Sequence, residues 1–273
     1  MDKVVLITGA GKGLGRALAA KFLSHNWRVI ATDVDDLSMA WLLDNSNALI
    51  IKMDVTSDLS VMNAFTVIDK EGIKIDLVIN NAGIDRYFPL AEAPVDRFKE
   101  VFEVNVFGGY RVNQVLLPLL KQPGGRIIHI SSESLHLTVP FMPYPMSKQL
   151  VESYAKALRM ELKFFGIDVV VIRPGAIQTQ LLNVVSTLNP DSGVWKLEKP
   201  FKRFAAMASR EIGTTITPEK AAAFIFKVSG IRYPSMVYTI NNMVQLRLAA
   251  LLPYGIWERM ILARLGIRPP AGF

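Results

Sequence analysis

Residues 3–8, Lys-Val-Val-Leu-Ile-Thr, form a short β-branched apolar run. The chain then turns at once into Gly9-Ala-Gly-Lys-Gly-Leu-Gly15, and an amphipathic helical pattern follows to about Ser24. This strand–glycine–helix order constrains the fold more than any other stretch. A glycine turn between a strand and a helix allows a tight reversal and brings backbone N–H groups and the helix N-terminus up to a pyrophosphate. In this context Gly9, Gly13, Leu14 and Gly15 are candidate dinucleotide-binding residues.

The same alternation continues along the chain. Further strands are expected at 28–32, 48–53, 75–80, 125–131, 168–172 and 236–240, with helical patterns between them. Alternating strands and helices build one parallel sheet covered on both faces. The expectation is therefore an α/β, doubly wound, mostly parallel seven-stranded sheet over residues 1–240. Residues 241–273 would form a C-terminal amphipathic extension of that single domain. The ligand crevice of such a sheet lies at the carboxyl ends of its strands.

Several polar residues fall at those ends. Asp33 stands about 20 residues past the glycines, where a carboxylate accepts hydrogen bonds from ribose hydroxyls and repels a 2′-phosphate. Val34 follows it, not an arginine, and Lys12 points weakly the other way, so NAD(H) is favoured over NADP(H). Asp54 and Val55 end the third strand; Asp54 reads either as an adenine contact or as part of a turn and cap before the helix near Asp58. Asn80-Asn81-Ala82-Gly83 ends the fourth, placing Asn81 and Gly83 at the cofactor. A long helix is expected from about Pro94 to Leu120, with Asn105 as a polar amide in its apolar stripe: either a structural kink or a relay residue.

The fifth strand delivers Ser131 and Ser132 to a loop that ends at Tyr144 and Lys148, four residues apart at the start of a helix. Residues so spaced share a helix face. A free phenol titrates near ~10, and a neighbouring ammonium lowers that value. Tyr144 and Lys148 together could then move a proton at a substrate oxygen. Pro174-Gly175-Ala176-Ile177-Gln178-Thr179 follows the sixth strand.

Composition narrows the chemistry. The 273 residues are 51% hydrophobic and include no cysteine, which excludes disulfides, thiolate nucleophiles and Cys-ligated metals; three histidines without clustered carboxylates argue against a metal site. The net charge of +7 is scattered, without interleaved aromatic residues, and so is read as solvated surface and not as a nucleic-acid footprint. With no charged-then-apolar leader before the first strand, a cytoplasmic protein is expected.

With these residues in order, the chain resembles the short-chain dehydrogenase/reductase family in its compact single-domain branch, over Lys3 to about Thr179 and more weakly to Ile240. The resemblance implies a Rossmann fold and assigns roles. Tyr144 would be the proton donor or acceptor, and Lys148 would tune it and bind the nicotinamide ribose. Ser132 would bond the substrate oxygen, Asn105 would hold a relay water, and Ile177 and Thr179 would hold the carboxamide. The family's serine usually sits one place further from the tyrosine, the spacing of Ser131. Ser132 matches by position after the strand and is assigned, with Ser131 expected to point away. Ser134 and His136 read as loop residues. A homodimer or homotetramer is implied as well.

The expected activity is an NAD(H)-dependent interconversion of a secondary alcohol and a ketone. Phe88, Leu135, Leu137, Val139, Phe141 and Met142 suggest an apolar mouth suited to a steroid, retinoid or lipid-like alcohol. The rival class is a non-catalytic dinucleotide-binding sensor or scaffold, which would be free to lose Tyr144, Lys148, Ser132 or Asn105. Residues 180–216 read as a mobile, irregular segment over the site, followed by a helix capped by Thr217 with Pro218 at its first position. In 241–273, no apolar run reaches the ~20 residues of a spanning helix. Two amphipathic helices broken near Pro253 are expected, packed on the domain in preference to a membrane surface.

Overall fold

The computed structural model describes residues 3–136, 138–183, 196–210, 214–243, 248 and 251–267. Seven strands, β1 Val4–Thr8, β2 Arg28–Asp33, β3 Ala48–Lys52, β4 Leu77–Asn80, β5 Arg126–Ile130, β6 Asp168–Pro174 and β7 Val237–Ile240, form one sheet in the order 3-2-1-4-5-6-7. Every adjacent pair is parallel. The order reverses between β1 and β4, so their carboxyl ends flank a crevice.

The helices are α1 Gly13–Leu23, α2 Asp58–Lys70, α3 Val95–Phe102, α4 Gly108–Leu116, α5 Tyr144–Leu162, α6 Gln180–Asn183, α7 Glu198–Arg210, α8 Pro218–Ser229 and α9 Tyr254–Arg264. Strand alternation divides the core. Val5 and Ile7 face α1 and α8, where Leu18, Phe22, Ala222 and Ile225 are buried. Leu6 faces the other layer, with Val61 and Ile68 of α2, Val112 of α4 and Ala155 of α5. Each such Leu, Ile or Phe contributes about 1.5–3 kcal/mol by leaving water. Phe22 is central to the first layer, its ring edge-on to both Trp27 and Phe226 at 5.0 Å. Truncating it to Ala would cost about 3–5 kcal/mol.

Caps set the element ends. Ser57 accepts a hydrogen bond from the Ser60 amide at the start of α2, and Thr217 accepts one from the Lys220 amide at the start of α8, with Pro218 opening the helix.

Three expectations need correction. The helix expected over 94–120 is interrupted: α3 passes into a π-helical turn, Glu103–Phe107, then α4, and a 3-10 turn at Leu117–Leu119 ends it around Pro118. The Gly108 amide bonds the Glu103 carbonyl five residues back, and the extra residue carries Asn105 into the interior, where it is buried. Of the stretch 180–216, residues 184–195 and 211–213 lie outside the described residues. The charged part that reads as irregular is helical in α7, because Phe201 and Phe204 bury an apolar stripe among its lysines and arginines. The sixth strand runs two residues further, to Pro174, paired with β7.

In the C-terminal stretch, most of the first expected helix lies outside the described residues. The second is α9, which starts directly after Pro253. Its Ile261 and the following Leu265 are buried with Phe141, Phe201 and Phe204. Trp257 donates to the Thr138 carbonyl at 2.6 Å, and Arg203 to the Leu265 carbonyl at 2.9 Å. Among the described residues no helix is long and apolar enough to cross a membrane.

Candidate active site

One cleft of about 650 Å³ opens at the carboxyl ends of the strands. Its first wall is the glycine turn. Gly9 has a left-handed φ of 66°, which side-chain-bearing residues rarely adopt. Gly15 has no room for a side chain, since a Cβ there would sit 1.9 Å from the Gly9 carbonyl oxygen. The turn is thus folded flat against α1, and α1 starts without a side-chain cap on its first amides. Gly13 and Leu14 line the cleft beside them.

Side chains hold this turn in place. Asp33 Oδ2 accepts from the Gly11 amide at 2.9 Å and Oδ1 from the Asp35 amide at 3.1 Å, so the carboxylate fixes the loop while lining the cleft. Asn81 Nδ2 donates to the carbonyls of Thr8 and Gly9 at 2.9 and 3.2 Å, and the Thr8 hydroxyl accepts from the Asn81 and Ala82 amides. The ends of β1 and β4 are thereby stitched together across the switch point. Asp54 makes the turn that its sequence suggests, with Oδ1 accepting from the Thr56 amide and hydroxyl at 2.9 and 2.7 Å. Asp54 and Val55 still line the cleft, as do Gly83, Ile177 and Thr179; the Thr179 methyl lies against Gly13. Lys12 turns instead to Asp35, at 3.2 Å on the surface, and this contact holds the Asp35 carboxyl below its usual range.

At the other end stand Ser132, Tyr144 and Lys148, all lining the same cleft. Ser132 stands near enough to Tyr144 for its hydroxyl to favour the phenolate. Ser131 also lines the cleft, but its hydroxyl donates to Glu152 Oε1 at 2.8 Å, and Arg173 grips the same carboxylate at 2.9 and 2.6 Å. The Ser134 hydroxyl donates to Ser132 Oγ at 2.9 Å, and His136 Nε2 lies 3.1 Å from Arg173 Nη1. Lys148 Nζ donates to the Ile130 carbonyl at 2.9 Å and sits 5.3 Å from the centre of the Tyr144 ring.

The proton affinities run differently from the simple Tyr–Lys expectation. Burial pushes the Tyr144 phenol above its usual range; the charge of Asp85 adds to this, and the neighbouring Ser132 hydroxyl opposes it. Lys148 is itself pulled down to about 8 by burial, against the attraction of Asp85. In this state desolvation outweighs any help the ammonium gives the phenolate, and the phenol keeps its proton.

Asn105 does not line the main cleft. Its Oδ1 accepts from the Ile84 amide at 2.8 Å, and its Nδ2 donates to the Ile84 carbonyl at 2.9 Å and to Ser147 Oγ at 3.0 Å. Behind it, with Lys148, Asn80 and His129, lies a cavity of about 10 Å³, close to the room one water needs. Asn80 Oδ1 has no hydrogen-bond partner, and burial, then the charge of Lys148, pulls His129 down to about 3, keeping it neutral.

The mouth is built from other residues than its sequence suggests. Met142 lines the cleft, but Phe141 is buried against Phe201 and Phe204, and Phe88 is packed inside; Leu135 and Val139 do not line it, and Leu137 lies outside the described residues. Apolar loop residues can cover a site or pack beneath it, and here α7 draws Phe141 away. In their place come Asp85, Arg86 and Tyr87, which sequence reasoning missed. The only available signal was a carboxylate two residues past a glycine at a strand end.

The architecture has many relatives. A solved short-chain dehydrogenase from Streptomyces avermitilis superposes with a TM-score of 0.79 at 24% identity, over 97% of both chains. In sequence, the chain is 30% identical to the uncharacterized oxidoreductase YusZ of Bacillus subtilis, over 96% of this chain and 98% of that protein. It is 31% identical to an NADPH-dependent 3-dehydrocapnine reductase of Ornithobacterium rhinotracheale, over 66% and 67%. Residues 3–189, from β1 past the glycine turn, Tyr144 and Lys148 and into the loop after β6, match the short chain dehydrogenase family model. A parallel sheet with a glycine turn at its switch point and one cleft joining that turn to a Ser-Tyr-Lys cluster thus accompanies sequence similarity over the whole length: the chain belongs to the short-chain dehydrogenase/reductase family of oxidoreductases.

Proposed function

We propose that the protein interconverts a secondary alcohol and a ketone with NAD(H). The observation that carries this reading is the Tyr144 phenol, with Ser132 beside it and Lys148 5.3 Å away, ring centre to ammonium, in the same cleft as the glycine turn.

The cleft fits a dinucleotide. Gly15 keeps the turn flat where a side chain would collide, and the uncapped start of α1 suits a pyrophosphate. Asp33 would accept from a ribose hydroxyl, Asp54 and Val55 would border the adenine, and Lys148, Ile177 and Thr179 would border the nicotinamide end. When bound, the nicotinamide supplies a hydride acceptor or donor. Preference for NAD(H) rests on the Asp33 carboxylate and on Lys12 being engaged by Asp35; the NADPH-dependent relative is the counterweight.

The side chains handle the proton. Ser132 would hold the substrate oxygen, and Tyr144 would give its proton to that oxygen in reduction or accept it in oxidation. Burial holds the phenol protonated, so the described state is one that donates. Lys148 and the water-sized cavity beside Asn105 and Asn80 make a path by which the proton returns to solvent. The substrate body would rest on Ile84, Met142, Leu181 and Met243, an apolar surface at the cleft mouth. Within the C-terminal extension, α9 and Leu265 pack against α7 and the 138–142 loop.

The test is turnover of an alcohol and ketone panel with each cofactor, followed at the nicotinamide absorbance. Dinucleotide binding without any turnover would favour a sensor or scaffold instead.

A further inference from the structure

Asp85 is 6% exposed, lines the cleft, and is not accounted for by the proton path. Its Oδ2 accepts from the Tyr87 hydroxyl at 2.9 Å. Its Oδ1 is buried and has no hydrogen-bond partner among the described residues. A buried acceptor left unpaired costs about 1–3 kcal/mol, more when charged, so such atoms normally have a partner. The side chain is close enough to Tyr144 and Lys148 for its charge to act on both. It lines the same cleft as Ser132, Tyr144 and Lys148.

We propose that Asp85 is a specificity-determining residue that accepts a hydrogen bond from a second hydroxyl on the substrate, next to the reacting carbon. This rests on the alcohol–ketone reading above and deepens it: the substrate class becomes vicinal diols and the matching hydroxyketones carried on an apolar body. The terminal torsion of an aspartate is broad, so the carboxylate would turn as a unit to present Oδ1 to a substrate hydroxyl, with the Tyr87 hydroxyl following Oδ2. A hydroxyl suits the site better than an ammonium, because Lys148 and Arg86 already place positive charge around the carboxyl. The second hydroxyl takes no part in the bond changes; it orients the substrate and satisfies Oδ1.

The structural alternative is that Asp85 only anchors Tyr87. The experiment compares kcat and KM for two matched probe pairs, cyclohexanol with 1,2-cyclohexanediol and decan-2-ol with decane-2,3-diol. Wild type, Asp85→Asn, Asp85→Ala and Tyr87→Phe are assayed with NAD. At pH 8.5, where the Asp85 carboxyl is ionised, wild type should prefer each diol over its mono-alcohol by about 10- to 100-fold in kcat/KM, the factor a hydrogen bond to a charged acceptor supplies. Asp85→Ala should collapse that ratio, mainly through KM. Asp85→Asn, which keeps a carbonyl acceptor, should restore part of it, and Tyr87→Phe should leave it standing. Thermal unfolding and NADH fluorescence titration show that each variant is folded and binds dinucleotide. Equal use of diol and mono-alcohol by wild type, or an unchanged ratio in Asp85→Ala, overturns the inference while leaving the alcohol–ketone reading intact. If wild type binds NADH yet oxidises none of the four, both fail together.

Discussion

The glycine end and the Asp85 end of the cleft are built by different means. At the glycine end, backbone does most of the shaping: Gly9 bends, Gly15 admits the Gly9 carbonyl, and Asn81, Thr8 and Asp33 spend their polar atoms on neighbouring amides and carbonyls. Polar groups there are mostly satisfied before any ligand arrives. At the other end Tyr144, Lys148, Asp85 and His129 are ionisable groups taken out of water, all with shifted proton affinities, and Asp85 and Asn80 keep unpartnered oxygens. One end is a preformed cradle; the other holds electrostatic cost until a substrate relieves it.

Tyr144→Phe should separate the two ends most sharply. It removes one transferable proton and leaves the glycine turn untouched, so turnover should fall about 10²–10⁴-fold while NADH titration stays close to wild type. Near-native turnover would remove Tyr144 from the proton step and undo the contrast between the ends.

The cost at the Asp85 end should be visible in stability. Burial pushes the Asp85 carboxyl up to about 7 from a usual value of 3.8, with Tyr87, Arg86 and Lys148 opposing the rise. Between those values the folded protein holds a proton that the unfolded chain has released. Stability must therefore fall as pH rises through the window, and level off above it. Each tenfold difference in proton affinity corresponds to about 1.4 kcal/mol, so a rise from 3.8 to about 7 corresponds to a loss of roughly 4 kcal/mol. Other carboxylates slope the opposite way, Asp168 among them, held low by Lys163 and Arg126 despite partial burial. The informative quantity is the difference between wild type and Asp85→Asn in denaturant midpoints from pH 4 to pH 8. Asp85→Asn should gain on wild type steadily across that range; parallel curves would mean that Asp85 stays ionised and is satisfied in the free protein.

The same contrast governs what could be read from the sequence. All seven strands were legible to within about two residues, because β-branched runs bounded by Gly, Pro or Asn leave little choice of period. A parallel sheet then gathers every carboxyl strand end on one edge, so Asp33, Asp54, Asn81, Ser132 and Pro174 could be placed together without knowing any contact. Nothing comparable fixes a loop. Phe88 and Phe141 are apolar loop residues that pack beneath the surface, and for Phe141 the decision belongs to α7 and α9, far along the chain. Asp85 lies in such a loop. The π-helical turn at Glu103–Phe107 was hidden for another reason: one extra residue barely disturbs helical periodicity, yet it turns Asn105 inward.

Asp33→Ala probes the cradle from its charged side. The carboxylate both repels a 2′-phosphate and holds the Gly11 amide at 2.9 Å. Losing it should weaken NAD(H) about tenfold, the value of one charge-assisted hydrogen bond, and narrow the gap to NADP(H). Equal weakening of both cofactors would show that Asp33 serves only the loop.

Lys12→Ala should do least, and for that reason it tests the assignment of the cradle most directly. A lysine inside a glycine turn is well placed to meet a 2′-phosphate, which would favour NADP(H). Here its ammonium lies 3.2 Å from Asp35, with both side chains largely in solvent. Exposed pairs of this kind contribute little, so unfolding should be unchanged within error. If Asp35 keeps the ammonium occupied, the ratio of NAD(H) to NADP(H) affinity should move by less than about threefold, well below the tenfold of a full charge-assisted contact. The measurement is a pair of titrations at low and moderate salt, because a phosphate contact would weaken as salt screens it. A large, salt-sensitive loss of NADP(H) binding in Lys12→Ala would mean that Lys12 leaves Asp35 for the phosphate. The cradle would then be tuned to NADP(H), and Asp33 would be a structural clamp on the glycine turn.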